Sequence, residues 1–332
     1  MNQFQKDPLK LLTDISGVYA GALSSGIKSS GLDLAYLYIP DAVASAGVFT
    51  QSLFSASSVR YTKKSLKNNT LKALIVNSGN ANTATGETGE KDTKMMAKVT
   101  AEKLGLTQQE VAVASTGIIG KVLPKSLQSK IEQLLESPLQ QDGKGVQKAI
   151  LTTDLTEKSV FISGKIGKKV CSVSGITKGS GMIAPNMATT LGFLVTDVSL
   201  SQKELQRCLE KAIGVSYNMV SVDTDTSTSD MVLLFATGEK PFNRQDPEQL
   251  DAFQTLLNEA CIDLAKQIVL DGEGATTLVE CCVKGALTVS DAKQFAKQVI
   301  DSPLVKTAIH GGDPNWGRVV MALGKKHRLK LN

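Results

Sequence analysis

A loop near the middle of the chain could generate a nucleophile by self-cleavage. Residues 178–191 read Lys-Gly-Ser-Gly-Met-Ile-Ala-Pro-Asn-Met-Ala-Thr-Thr-Leu, so glycines, a proline and an asparagine precede a small residue and a threonine. If the bond between Ala188 and Thr189 were cut, Thr189 would carry both a hydroxyl group and a free α-amine, which together supply a nucleophile and its base. The sequence therefore predicts a cleavage site at this bond, with Thr189 as the catalytic nucleophile.

Histidine-based catalysis and metal sites have little support in this sequence. His310 and His327 are the only histidines, and neither has a partner at the spacing of a zinc site. The acidic segment 221–230 lacks the glycine and the terminal glutamate of an EF-hand calcium loop. We therefore interpret that segment as a polar loop held by capping and turn hydrogen bonds. We expect no metal site and no cofactor.

Two segments look like nucleotide-binding loops but lack a required feature. Residues 21–29 match a phosphate-binding loop except that Ile27 stands where the lysine is needed. Residues 179–184 spell a dinucleotide fingerprint, but Pro185 follows at once and no clear helix begins there. Without a helix N-terminus, the phosphate would lose its main binding element. Both matches are therefore rejected.

Two short segments could supply an oxyanion site and an ammonium-binding group. Thr116 and Gly117 follow a strand pattern, and a threonine hydroxyl beside a glycine N–H could donate two hydrogen bonds to an oxyanion. A plain turn after the strand is the alternative. Glu273 lies between two glycines in Asp-Gly-Glu-Gly-Ala-Thr at 271–276, which suits a substrate ammonium or a tight turn with a solvated glutamate. The amide-rich loop 77–86 fits either a polar site or a hydrogen-bonded structural loop.

Strand and helix patterns are mixed along the chain without strict βαβ alternation, which favours an α+β fold with mixed sheets and flanking helices. Alternating and apolar runs predict strands at 35–38, 74–77, 111–115, 159–166, 169–176, 192–197, 231–237 and 277–287. Amphipathic patterns predict helices at 94–104, 125–135, 202–213, 247–269 and 291–300.

Local signals refine these elements. Ser201-x-x-Glu204 and Thr107-x-x-Glu110 are typical of capping boxes, which open helices. The adjacent cysteines 281 and 282 fall within the last predicted strand, where we expect them to be buried.

Composition argues against nucleic acid and membranes as partners. The net charge is +5, but the lysines are scattered and aromatic residues make up only 5%, so no basic surface interleaved with aromatics is expected. No apolar run approaches the ~18 residues of a membrane span, and the N-terminus lacks a signal pattern. Five cysteines without a Cys-x-x-Cys pair fit reduced thiols. We therefore expect a cytoplasmic protein.

Seven segments occur here in one order, and the combination resembles the ornithine acetyltransferase (glutamate N-acetyltransferase) family of arginine biosynthesis. The resemblance covers nearly the whole chain, and the segment around Thr189 carries most of it. The segments are 26–35, 48–50, 76–89, 114–120, 178–191, 271–276 and the Asp-Pro-Asn-Trp-Gly-Arg sequence at 313–318.

The resemblance implies a self-processing fold of the N-terminal-nucleophile type. Thr189 would attack the carbonyl of Ala188, and hydrolysis of the resulting ester would leave an α chain, 1–188, and a β chain, 189–332. The two chains would remain associated, as α2β2 in the mature enzyme.

The resemblance also implies the reaction. Thr189 would take acetyl from N-acetylornithine and pass it to glutamate, and some members also accept acetyl-CoA as donor. Thr116 and Gly117 match the oxyanion hole. Lys178 would bind a substrate carboxylate or lower the pKa of the new α-amine through like-charge proximity. The positions that match the family's substrate-binding residues are Thr152 or Thr153, Lys178, Thr189 and Glu273.

Family members continue for several tens of residues past the Asp-Pro-Asn-Trp-Gly-Arg sequence, and their closing segment adds an Asn and a final Ser or Thr to the site. The sequence here ends at Asn332. This comparison predicts cleavage at Thr189 together with weak substrate affinity. Two other functions remain open: a self-processed amidase or aminopeptidase, in which water takes the acyl group, and an inactive paralogue that acts only by binding.

Overall fold

The computed structural model describes residues 4–184, 190–241 and 246–325. They form two packed β-sheets, with helices against the outer face of each. The strands of this part of the chain are β1 (Phe4–Lys6), β2 (Tyr19–Leu23), β3 (Leu34–Tyr38), β4 (Ala44–Phe49), β5 (Ala73–Asn77), β6 (Val111–Ser115), β7 (Lys158–Ile166), β8 (Lys169–Lys178), β9 (Leu191–Val198) and β10 (Met231–Lys240).

The helices lie mainly between and after these strands. They are α1 (Ser57–Leu66), α2 (Gly86–Leu104), α3 (Leu127–Leu134), α4 (Gly143–Ala149), α5 (Gln202–Val215), α6 (Pro247–Leu270), α7 (Val289–Ile300), α8 (Pro303–His310) and α9 (Trp316–Leu323). No helix in the described part of the chain combines the length and apolarity that a bilayer-spanning segment needs.

Both sheets are mixed, as predicted. The six-stranded sheet has the order β1-β7-β8-β9-β10-β4, in which β9 and β10 run parallel and the other neighbours antiparallel. The four-stranded sheet has the order β2-β3-β5-β6, with only β5 and β6 parallel. Strands buried on both faces become almost continuously apolar, and Met-Val-Leu-Leu-Phe at the start of β10 shows this.

Three apolar layers hold the architecture together. Phe193 and Phe235 of the six-stranded sheet share a fully buried layer with Leu37 of the four-stranded sheet. On the outer side of the six-stranded sheet, α5 and α6 cover a second layer. On the outer side of the four-stranded sheet, α2 and α3 cover a third. Burial of each large apolar side chain contributes about 1.5–3 kcal/mol, so these layers fix the ends of the strands from which the site is built.

Most predicted elements form near their expected positions, including all five helices and every predicted strand between residues 35 and 237. The strand predicted at 277–287 is wrong. No described strand lies beside it, and Leu278 is 47% exposed, so its backbone groups and apolar side chains have no sheet to join. The expected burial of the two cysteines there is wrong for the same reason, because Cys282 is exposed and Cys281 only half-buried.

The two capping boxes form but open different structures. Ser201 and Glu204 satisfy each other's backbone N–H groups at the start of α5, as predicted. Thr107 and Glu110 make the same reciprocal contacts around a single 3-10 turn that leads into β6. The prediction of a helix after Thr107 is therefore wrong beyond that turn.

Candidate active site

A cavity of about 830 Å³ opens where the ends of the two sheets meet. Six of the sequence-predicted site residues line it. Ala188 and Thr189 lie outside the described residues, whereas Thr190, the next residue along the chain, is part of the cavity wall. The six residues are Thr116, Gly117, Thr152, Thr153, Lys178 and Glu273.

The amide-rich loop after β5 holds the segment that contains Thr116. The carbonyl of Asn77 accepts a hydrogen bond from the Thr116 N–H at 3.1 Å. The Asn77 side chain accepts from the Ser115 hydroxyl at 2.7 Å and donates to the Asn80 carbonyl at 2.9 Å. Asn77 and Asn80 are both fully buried. The loop is thus a hydrogen-bonded structural loop that also borders the cavity. Both interpretations left open by the sequence, a structural loop and a loop near a polar site, therefore apply.

Only glycine fits at position 117. Its φ angle of +130° lies in a region that residues with a Cβ rarely adopt. A Cβ there would also come within 2.4 Å of the Gly79 carbonyl carbon and 2.5 Å of the Asn80 backbone nitrogen. Gly117 therefore brings the backbone of the segment after β6 against the backbone of the loop after β5.

The polar loop 221–230 anchors the chain on the N-terminal side of the predicted cleavage bond. The Asp223 carboxylate accepts hydrogen bonds from the N–H groups of Met182 and Ile183, at 2.6 and 2.8 Å. The Thr226 hydroxyl donates to the Ala184 carbonyl at 3.0 Å. The loop makes internal turn bonds as predicted, but its main contacts hold the segment that leads to residue 185.

The chain is also anchored directly after the predicted nucleophile. The Thr190 hydroxyl donates to the Lys178 carbonyl and lies 3.0 Å from the Thr177 hydroxyl. The Thr190 carbonyl accepts from the Met231 N–H at 2.9 Å. These contacts join the end of β8 to the start of β9 and β10, which places Thr190 beside Lys178 at the cavity wall.

The Glu273 carboxylate lies directly against the Gly181 backbone. A Cβ at position 181 would come within 2.4 Å of Glu273 Oε2, so the absence of a side chain there lets the carboxylate occupy its place. The Glu273 N–H donates to the Ser180 carbonyl at 3.0 Å. The segment 271–276 thus contacts the loop after β8, while Glu273 itself lies in a turn and is exposed, so the structure also fits the alternative of a tight turn with a solvated glutamate.

Buried charges distinguish this cavity from an ordinary surface cleft. Burial lowers the pKa of the Lys178 ammonium, and the nearby carboxylates of Asp154 and Asp230 offset part of this shift. Burial likewise lowers the pKa of Lys28. It raises the pKa of the Asp230 carboxyl well above its ordinary range, despite a hydrogen bond with Ser227. Opposed shifts of this kind are common where proteins bind ligands or move protons.

Sequence reasoning missed three charged residues of the cavity wall, Lys28, Lys121 and Asp230. Asp230 directly precedes the apolar strand β10, and a carboxylate at that position is a signal that could have been used. Lys28 donates to the Leu151 carbonyl at 3.2 Å, a contact over 123 residues that no local pattern reveals. Among the described residues, no cluster of three or more His, Cys, Asp or Glu side chains could hold a metal ion.

The chain is similar to known proteins over most of its length. Residues 19–331 match the model of the ArgJ family. The chain is 45% identical to the arginine biosynthesis bifunctional protein ArgJ of Oceanobacillus iheyensis, over 94% of this chain and 77% of that protein.

The chain belongs to the ArgJ family.

Two solved structures are similar to this ArgJ-family chain. The arginine biosynthesis bifunctional protein of Bacillus halodurans matches with a TM-score of 0.53 at 36% identity, covering 56% of this chain and 98% of that one. An ornithine acetyltransferase of Mycobacterium tuberculosis, solved in complex with ornithine, matches with a TM-score of 0.50 at 34% identity, covering 56% of this chain and all of that one. The predicted family is confirmed, and with it the prediction of an enzyme of arginine biosynthesis. The roles of the individual site residues stay predictions.

Proposed function

We propose that this ArgJ-family enzyme moves acetyl from N-acetylornithine to glutamate through an acetyl ester on Thr189. The observation that carries the proposal is the convergence of Thr116, Gly117, Lys178 and Glu273 on one cavity whose wall includes Thr190. A solved relative that binds ornithine supports the choice of substrate.

In the proposed reaction, the Thr189 α-amine removes the proton from the Thr189 hydroxyl as its oxygen attacks the acetyl carbonyl. The Thr116 hydroxyl and the Gly117 N–H stabilise the oxyanion. The C–N bond then breaks, the amine returns the proton to the departing ornithine, and acetyl remains on Thr189. Attack by the glutamate amine reverses these steps and restores the free hydroxyl. Glu273 binds the substrate's free ammonium, and Lys178 supplies positive charge for its carboxylate.

We also propose that Thr189 arises by self-cleavage, which gives an α chain, 1–188, and a β chain, 189–332, assembled as α2β2. The described residues that flank the proposed cleavage bond, Ala184 and Thr190, are each held by a hydrogen bond, which supports an intramolecular reaction there. Each solved relative matches 56% of this chain, a share close to that of a 1–188 fragment. Acetyl-CoA is proposed only as an additional acetyl donor, with no cofactor, and the cytoplasmic location stays a prediction from the free thiols.

The decisive experiment follows labelled acetyl from N-acetylornithine in the presence of glutamate, with and without acetyl-CoA. We expect the label to appear on glutamate, with ornithine released in equal amount. Label appearing as free acetate would instead support an amidase, in which water takes the acyl group. Absence of both products from protein that has cleaved at Thr189 would contradict the proposed reaction.

The contact between Gly181 and Glu273 gives a test of substrate binding. Gly181→Ala is expected to raise KM for N-acetylornithine by about tenfold, because the new Cβ displaces the Glu273 carboxylate from the ammonium and weakens a charged hydrogen bond. The kcat should change by less than about threefold, since Thr116 and Gly117 are untouched. Glu273→Gln serves as the matched variant and should show the same division between KM and kcat. A fall in kcat at unchanged KM in either variant would contradict this role of Glu273.

A further inference from the structure

Behind the cavity lies a buried ionic cluster that the proposed reaction does not use. Lys158, the first residue of β7, is fully buried, and its ammonium lies 2.7 Å from Asp154 Oδ1 and 2.6 Å from Asp271 Oδ2. The Asp154 and Asp271 side chains are 0% and 5% exposed. The third ammonium proton goes to the Thr156 carbonyl at 3.1 Å. All three donors of the lysine are therefore satisfied inside the protein.

The two carboxylates of this cluster connect three segments of the cavity wall. Asp154 accepts hydrogen bonds from the N–H of Thr152 at 3.1 Å and from the N–H of Gly179 at 2.6 Å. These two donors belong to the segment containing Thr152 and to the loop that begins after Lys178.

Asp271 holds the third segment. Its carboxylate accepts from the Leu155 N–H at 3.0 Å, and its carbonyl accepts from the Ser180 hydroxyl at 2.7 Å. Two residues later the chain reaches Glu273, whose carboxylate rests on Gly181. The ammonium of Lys158 thus lies at the junction of the three segments that carry the predicted substrate-binding side chains.

The charges around this junction are mutually dependent. Burial by itself raises the pKa of the Asp154 carboxyl, but the positive charges of Lys178 and Lys158 outweigh that effect and lower it. Without Lys158, two buried carboxylates would be left with one cation fewer, and each would favour water or a proton over its present partners. The hydrogen bonds from Gly179 and Leu155 would weaken with the loss of charge.

We propose that Lys158 is a positioning residue, which acts through Asp154 and Asp271 to set the spacing of Thr152, Lys178 and Glu273 around the substrate. Lys158 does not touch the substrate. This inference rests on the proposed function, because it takes the substrate to be a molecule with the ammonium and carboxylate of ornithine.

Calorimetric titration with ornithine, combined with steady-state kinetics, tests the role. Lys158→Met is expected to weaken ornithine binding and to raise KM by about tenfold or more, while the catalytic step at saturating substrate falls less than about threefold. Asp271→Asn is the milder variant, with a rise in KM of about threefold, and it keeps the test valid if Lys158→Met does not fold. The double variant should bind ornithine no more weakly than Lys158→Met alone, because Lys158→Met already removes the ion pair that Asp271→Asn weakens.

Lys72→Met is the matched control, since it breaks a 3.0 Å ion pair with Glu110. Lys72 directly precedes β5, and Asn77, which leads into the loop that borders the cavity, is at the opposite end of that strand. It should leave ornithine binding unchanged even if it lowers thermal stability. Equal ornithine affinity in the unaltered chain and in folded Lys158→Met or Asp271→Asn would overturn the positioning role alone. An unaltered chain that neither binds ornithine nor transfers acetyl would overturn the proposed function and this inference with it.

Discussion

Thr189→Ala is expected to yield one uncut chain of 332 residues with no acetyl-transfer activity. Alanine has no hydroxyl, so it can neither attack the carbonyl of Ala188 nor accept acetyl from the substrate. Intact-mass measurement of the purified protein should show two fragments for the unaltered chain, the second beginning at Thr189, and a single mass for the variant. Labelled-acetyl transfer should fall to background.

Thr189→Ser is the control for this prediction, because serine retains a hydroxyl at the same position. It should still cleave between residues 188 and 189 and keep measurable transfer. If Thr189→Ala is still cut at that bond, an external protease performs the cleavage and the assignment of the nucleophile is wrong.

Thr116→Ala is expected to slow acetyl transfer by about 100-fold, the usual effect of removing one oxyanion donor. The backbone N–H of Thr116, not its side chain, makes the hydrogen bond to Asn77, so the fold should lose at most about 1 kcal/mol of stability. Single-turnover kinetics should place the loss in the acylation step, with KM little changed. Thermal unfolding measured alongside reports whether the fold is intact.

Thr116→Ser retains the hydroxyl and should keep most of the activity. The plain-turn interpretation of this segment would be favoured if Thr116→Ala lost much thermal stability together with a proportionate share of its activity. It would also require Thr116→Ser to lose as much activity as Thr116→Ala. The first two losses alone would point to misfolding, and the third would show that the hydroxyl itself is unimportant.

Much of the central sheet could be predicted because its sequence signal is local. A strand such as β9, buried on both faces, begins with the apolar run Leu-Gly-Phe-Leu-Val, and that property is visible without knowledge of its neighbours. The short strands β2 and β4 were missed because Tyr-Ala-Gly-Ala-Leu and Ala-Ser-Ala-Gly-Val-Phe contain small residues of weak strand preference. The segment 277–287 has a strand-like sequence, yet no described neighbour completes a sheet there. Local preference states what a segment can form, and only a partner decides whether it does.

Some residues of the site could likewise be predicted from local sequence, whereas others depend on distant partners. Gly117 and Glu273 could be selected because a polar residue next to glycine is a local pattern: Gly117 follows Thr116, and Glu273 lies between two glycines. Lys158 could not be paired with Asp271, because the two residues are 113 positions apart and the sequence does not state which carboxylate reaches a buried lysine. Lys158, Val160 and Ile162 lie on the same face of β7, and Val160 and Ile162 are buried. This pattern places the Lys158 side chain on an inward face, which is a signal for a buried acidic partner.

The order of strands in the six-stranded sheet has a consequence for how the mature enzyme could refold. Strands β9 and β10 would belong to the β chain, yet β8 on one side and β4 on the other would belong to the α chain. Each fragment would therefore lack the neighbours that its own strands need. Folding of the uncut precursor is a first-order process, whereas renaturation after cleavage would require two polypeptides to meet, at a rate that depends on their concentration. Cleavage would thus convert a reversible folding equilibrium into a nearly one-way assembly, in which the native state persists mainly because it unfolds slowly.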